Sequence, residues 1–387
     1  MIFINFCMVL QLAPQDEVRL PGDEQNKAQQ RRHESPNEEL FRLDGLGVRT
    51  TLEERGFEVQ GFNTTDVSYA FAGGLERDAK ALRSLFDVST SVTTDELFDL
   101  PGGFLFADFQ LQRGEDASME VGDLQAFSNI DAENFSRVSE FWWQHELYDS
   151  ALELQAGRID ANGRFATVDN GVSFINSSMG FSPTIVGLST YPKPTYGASA
   201  RVRLADQFDV SVGVFDAEPS GSFTIVQADA TWEGGRLGLG AWSHSGQFNR
   251  FDGGVSDGTS GTYLTLDQFV ANGVVSSEDR MSAFLQLGRA DEGISPVSKH
   301  IGFGVVLEGV GFYGEDTLGM GVSHAGLSDE PGAGFPAGRE RAWELFYSFT
   351  IAEWLSLKPD LQFIQDPGGV SGVDDAWVFT LRSTFEF

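Results

Sequence analysis

From Phe57 to the last residue, hydrophobic and polar positions alternate with a period of two. Between Arg341 and Ile351 the set Trp343, Leu345, Tyr347, Phe349 and Ile351 alternates with Ala342, Glu344, Phe346, Ser348 and Thr350. Between Leu355 and Phe363 the apolar set Leu355, Leu357, Pro359, Leu361, Phe363 alternates with Ser356, Lys358, Asp360 and Gln362. Phe141–Leu147 and Ala198–Leu204 repeat the pattern. Successive side chains of a strand point to opposite faces, so each segment has one apolar face and one polar or charged face. Segments of ~10 residues with this alternation, separated by turn residues, are the pattern of a transmembrane β-barrel. The expected fold is therefore all-β, a single transmembrane antiparallel β-barrel. A soluble sandwich would alternate too, but large aromatics would not gather at strand ends, nor charge lie well inside the strands. No fixed-period repeat suggests a solenoid or propeller.

The connections agree. Ala205–Gln207, Glu233–Gly235 and Ala352–Glu353 are short links, whereas 246–261 and 328–338 are longer and rich in Gly, Ser and Asp. Short turns on one side of the membrane and longer loops on the other are what a barrel needs. About fifteen or sixteen strand-like segments can be counted. Closure of an antiparallel bacterial barrel favours an even number, and we expect sixteen, enough to enclose a water-filled lumen. The stretch between Arg158 and Tyr196 carries few strand signals, and a loop of that length is expected to fold into the pore, with Phe174, Ile175, Asn176 and Phe181 on it. Ahead of the barrel, 40–56 reads as a short helix ended by Gly56, and 14–39 as a polar, flexible lead-in. Residues 1–13 read as a weak signal segment without a basic start. The expected organisation is leader 1–13, lead-in 14–39 and barrel 40–387.

Composition narrows the function. Asp plus Glu outnumber Lys plus Arg by 57 to 26, a net charge of −31, which opposes binding to nucleic acid. Acid at this level is solvated or lines a wet cavity. Gly (45) and Phe (33) suit tight turns and an aromatic exterior. The single cysteine, Cys7, lies in the leader and implies neither disulfide nor metal chemistry in the mature chain. No stretch reaches the ~20 apolar residues a spanning helix needs. An enzyme finds little support. His33, His145, His244, His300 and His324 are scattered without ligand spacing, and no nucleophile motif or phosphate-cradling loop is present. No cofactor is implied.

A lumen that passes polar solutes needs weak contacts, so that what enters can leave. For a sugar these are aromatic faces for the apolar side of a pyranose, and charged or amide groups for its hydroxyls. Glu140, Trp142, Gln144 and Glu146 share one parity, whose charge assigns it to the lumen, while Arg137 is off that parity and belongs at a rim or turn. Arg158 and Asp160 end the next segment, and Arg201 with Arg203 share the polar face of another. Phe174 and Asn176 complete the candidates as members of the in-folded loop. A solvated wall without any recognition role would carry the same pattern.

The terminal segment 375–387, DAWVFTLRSTFEF, places Phe387, Phe385, Ser383, Leu381 and Phe379 on one face. A strand with so exposed an edge must close a sheet, and its terminal Phe resembles the signal read by the outer-membrane assembly machinery. Together with Leu52–Gly74, Asp99–Gly103, Asn134–Ala166, Phe174–Ile185, Tyr191–Leu204 and Phe346–Gly369, taken in their order, it makes the chain resemble the carbohydrate-selective porin (OprB) family from about Leu40 onward. That resemblance implies a sixteen-stranded barrel in the bacterial outer membrane, conducting small sugars by diffusion past in-folded loops. Its surroundings would be outer-membrane lipid and lipopolysaccharide. Whether three copies form a homotrimer is left open. The −31 charge keeps a second expectation alive, a general or cation-preferring pore.

Overall fold

The structure, a computed structural model, describes residues 47–277, 279–311 and 315–387. The expected leader and lead-in lie outside these residues. A short helix, α1 (Val48–Glu53), precedes the barrel, and Gly56 turns the chain into the first strand at φ 79°. Sixteen strands follow: β1 (Phe57–Gly74), β2 (Lys80–Thr93), β3 (Gly103–Gly114), β4 (Phe135–Leu147), β5 (Leu152–Ile159), β6 (Thr195–Ala205), β7 (Phe208–Ala217) and β8 (Gly221–Trp232), then β9 (Gly235–Asn249), β10 (Val255–Asn272), β11 (Arg280–Ala290), β12 (Val297–Val310), β13 (Asp316–Leu327), β14 (Arg339–Ala352), β15 (Leu355–Gln365) and β16 (Asp374–Glu386). Each pairs antiparallel with its sequence neighbours, and β16 closes the sheet on β1 from Phe62↔Glu386 to Gly74↔Asp374. Full closure leaves no unpaired edge, the condition for a sheet in lipid.

The two ends differ. One carries short links such as 206–207, 233–234 and 353–354; the other carries 115–134, 160–194 and 328–338. The stretch 246–261, expected to be a loop, is instead mostly strand: β9 and β10 run on as a polar hairpin joined only by 250–254. Beyond the lipid band both faces of a strand are wet, so the hydrophobic signal vanishes while the hydrogen-bonded ladder continues.

On the outside, Leu345, Phe349, Phe379 and Leu381 stand exposed where lipid would cover them. On the inside, buried polar groups alternate with aromatics: Trp142, expected there, is joined by Phe106, Phe215, Phe223 and Trp242, which point inward and pack with Phe165 of the 160–194 loop. A second cluster joins Val168, Phe174 and Met179 of that loop to Phe284, Val306 and Phe346 of the wall. The loops thus supply a hydrophobic core inside the barrel, and only part of the lumen stays open.

Candidate functional site

Two loops enter the barrel, 115–134 with helix α2 (Ser118–Val121), and 160–194 with helix α3 (Ser177–Gly180). A loop inside a barrel exposes backbone N–H groups that must find acceptors. Wall carboxylates provide them. Glu340 of β14 accepts from the backbone N of Leu124 at 2.8 Å and of Gln125 at 3.0 Å. Glu344, one turn of the pleat further on, accepts from Ile175 N and, at 2.9 Å, from Asn176 N. Asp267 of β10 accepts from Asp169 N at 3.0 Å and Asn170 N at 2.9 Å. Glu140 of β4 accepts from Asp160 N at 2.7 Å and from Trp142 Nε1 at 3.0 Å. Much of the inward acid is therefore bound to loop backbone, and does not face open water.

The apolar anchor of the longer loop is Phe174. Fully buried, it meets Phe346 and Phe284 edge-to-face, with ring centroids 5.0 and 5.5 Å away. It fits because β12 and β13 present glycines there: a Cβ on Gly321 would lie 2.9 Å from its ring and one on Gly304 3.1 Å.

The shorter loop docks on a charge network across the barrel seam. Arg382 of β16 makes a bidentate pair with Asp66 of β1 (2.7 and 2.8 Å) and donates to Asn129 Oδ1 at 2.8 Å. Arg83 of β2 stands 2.8 Å from Asp131 and over the Phe127 ring at 4.8 Å. Ser128 donates to Asp66 at 2.7 Å. Burial pushes the Asp131 carboxyl up to about 7, outweighing the attraction of Arg83.

Between the two loops and this wall lies a cavity of about 320 Å³. Asp87, Gln110 and Arg382 come from the wall, Asn129 and Asp131 from one loop, and Asp160, Asn162, Phe181 and Tyr191 from the other. Gln110 donates to Asp87 at 2.8 Å, Asp160 accepts from Tyr191 N at 2.9 Å, and Tyr191 donates its hydroxyl to Ile130 O at 3.1 Å. Aromatic faces, amides, carboxylates and one guanidinium converge on a single small volume, as a site for a polyhydroxylated solute requires. The model of the carbohydrate-selective porin, OprB family, matches residues 78–248 and 234–387. The chain belongs to that family. It is a channel of the bacterial outer membrane and not an enzyme.

Relatives agree. Porin B of Pseudomonas aeruginosa is 20% identical over 419 residues, spanning 90% of this chain and 91% of that protein. The high-pH structure of Pseudomonas putida OprB superposes with a TM-score of 0.81 at 19% identity, covering 89% of this chain and 97% of that one. Its low-pH structure, over the same shares, gives 0.61 at 17% identity. At such identities the structures establish the shared fold, and the family model establishes membership.

Within this porin, the residues expected from sequence divide. Asp160 lines the cavity, and Glu140 holds it from behind. Trp142 is inward but buried, stacked on Phe106 at 4.9 Å beneath the long loop. Phe174 and Asn176 are anchors; Asn176 donates to Gln362 at 3.1 Å and caps α3 by accepting from Ser178 N at 3.0 Å. Arg137, read as off the lumen parity, points inward after all. A bulge at Ser139 lets Val138 and Glu140 oppose consecutive residues of β3, which flips the faces above it. Its guanidinium lies 4.0 Å over the Phe135 ring. Arg158 goes the other way: on β5 the inward positions are Glu153, Gln155, Gly157 and Ile159. Arg158 therefore sits on the outer face, donating to Pro194 O at 2.8 Å and Val138 O at 2.9 Å. The structure does not bring it to the lumen. Glu146, Arg201 and Arg203 lie near the short-turn end. Arg201 donates to Glu153 at 2.7 Å, Arg164 binds the same carboxylate, and Arg203 approaches Asp209 at 3.7 Å. Glu146 accepts from Ser150.

Sequence reading missed Asp87, Gln110, Asn129, Asp131, Tyr191 and Arg382. Arg382 alone had a visible signal, a cation opposite the outward row ending in Phe387. One hydrogen-bonded Ser–His pair exists among the described residues' wall strands, Ser323 and His300 at 2.8 Å, but both are fully buried under Gln125 and reach no substrate.

Proposed function

We propose that sugars cross this outer-membrane porin through the cavity between the 115–134 and 160–194 loops, with the β1–β3 and β16 wall forming its other side. In this reading Tyr191 and Phe181 offer apolar surface to a pyranose. Gln110, Asn129 and Asn162 exchange hydrogen bonds with its hydroxyls, and Arg382, Asp87 and Asp160 supply the charged groups of the lining. The observation that carries the reading is the convergence of these groups, from both loops and the seam, on one volume of about 320 Å³. Glu140, Phe174 and Asn176 act as positioning residues that hold the loops, and the Glu153–Arg164–Arg201 cluster is a second charged zone toward the periplasmic side. The terminal strand ending at Phe387 is the segment we infer the assembly machinery engages.

Planar-bilayer recording with glucose and maltose-series sugars tests this. The open current should fall saturably with sugar; Asn129→Ala should raise the half-blocking concentration several-fold, whereas Tyr191→Phe, which keeps the aromatic face, should leave it near the wild-type value. Open current insensitive to every sugar would overturn the path and leave a general pore.

A further inference from the structure

The outer face carries cations that no acidic group among the described residues neutralises. At the loop end of the barrel Arg289 of β11 and Lys299 of β12 are register partners, and so are His324 of β13 and Arg341 of β14. Register partners in an antiparallel pair share a face, with Cα atoms ~4.5–5.5 Å apart. In β14 the inward row is Glu340, Ala342 and Glu344, which puts Arg341 outside; Arg289 and Lys299 are exposed. Among the described residues neither Arg289, Lys299 nor Arg341 forms an ion pair, whereas nearby Arg339 is matched by Asp366 at 3.0 Å. The contrast is informative because acid is plentiful, 57 Asp and Glu against 26 Lys and Arg.

Below these cations the outer wall is grooved. A depression of about 580 Å³ opens beneath Arg341 and Gln365, walled by Trp343, Leu345, Phe363 and Trp377. Another of about 550 Å³ lies beneath Arg289, where Ala228, Ala241 and Thr262 leave room between larger neighbours. Longer loops mark the extracellular side of such barrels, so this strip meets the outer leaflet. Cationic groups at headgroup level, above apolar grooves at acyl-chain level, match an anionic lipid with several chains. We propose that the outer wall of β11–β14, with the flanking grooves, binds the bisphosphorylated glycolipid of the outer leaflet, lipid A. Its phosphates sit on Arg289, Lys299 and Arg341, and its acyl chains lie in the two grooves. Guanidinium groups suit phosphate oxygens through paired hydrogen bonds.

Native mass spectrometry of the full-length barrel with added lipid A tests the assignment, using dephosphorylated lipid A and phosphatidylglycerol as competitors. Bisphosphorylated lipid A should bind at least tenfold more tightly than either. The Arg289→Gln, Lys299→Gln, Arg341→Gln triple variant should lose that advantage while keeping its conductance and sugar block, since none of the three touches the lumen cavity. Equal binding of the dephosphorylated form would assign retention to the grooves alone and overturn the proposal. Equal binding of phosphatidylglycerol, or undiminished lipid A binding by a conducting triple variant, would overturn it as well.

Discussion

Phe174→Ala is the sharpest test of whether the long loop is held in the lumen by packing. The side chain is fully buried, with two edge-to-face ring contacts and a socket shaped by Gly304 and Gly321. Removing a buried Phe costs ~3–5 kcal/mol, the transfer term plus the cavity left behind. Each aromatic pair contributes ~0.5–1.5 kcal/mol of that. Asp169 and Asn170 remain tied to Asp267, so undocking begins after them, around 171–180, where the bonds of Ile175 N and Asn176 N to Glu344 are the remaining hold. With ~1.4 kcal/mol per factor of ten, the detached population should rise by two to three and a half orders of magnitude, roughly 10²- to 4 × 10³-fold. Single-channel records should then show open-channel noise, a larger mean conductance and weaker sugar block, with unchanged heat-modifiable mobility of the barrel. Combining Phe174→Ala with Glu344→Gln should give a non-additive effect, because both hold the same few residues. A folded Phe174→Ala barrel with wild-type conductance, noise and sugar block would refute the anchoring argument.

The charge network makes a pH prediction. Burial sets the Asp131 carboxyl at about 7, so it is ionised and balances Arg83 above that pH and is neutral below it. Reversal potentials in a salt gradient should therefore shift toward anions from pH 8 to 6, and Asp131→Asn should show the low-pH selectivity throughout; a flat wild-type profile would contradict this. Glu153→Gln removes the shared partner of Arg164 and Arg201, and should lower cation preference and cost about 1–3 kcal/mol of stability, read by reversal potential and thermal unfolding. Deleting Phe387 removes two backbone hydrogen bonds to Gly61, at 2.9 and 3.1 Å, and a stacked contact with Phe86 at 5.6 Å. That amounts to ~2–4 kcal/mol at the seam, and the yield of heat-modifiable barrel should drop, whereas normal assembly would show that closure does not depend on the last residue.

The barrel itself was legible because strand periodicity leaves a regular trace wherever one face meets lipid. Trp343, Leu345 and Phe349 could be assigned outward from spacing alone, and the structure puts them there. The trace fails where its physical cause is missing. The ends of β9 and β10 that flank the 250–254 tip have water on both faces, so nothing in their pattern separates strand from loop. At Ser139 one extra residue shifts the parity, and Arg137, counted onto the wrong face from Glu140, returns to the lumen. Arg158 failed for another reason: charge was taken as a sign of the lumen, but at the loop end an arginine on the outer face can bind carbonyls of strand ends and sit at headgroup level. The acidic residues were the hardest to read. Glu140 and Glu344 lie on the inward face, as their charge implied, and so do Asp267 and Glu340, but each takes backbone N–H groups from a loop folded over it. Their partners are 20 to 216 residues away in the chain, beyond any local pattern. The cavity depends on the same long-range docking, since Asn129, Asp131 and Tyr191 reach Arg382 and Asp87 only once both loops have entered the barrel. The net charge of −31 is then poor evidence for cation preference: on the proposed path a solute meets only the groups that line the cavity, and these include Arg382 and the pH-sensitive Asp131 as well as Asp87 and Asp160.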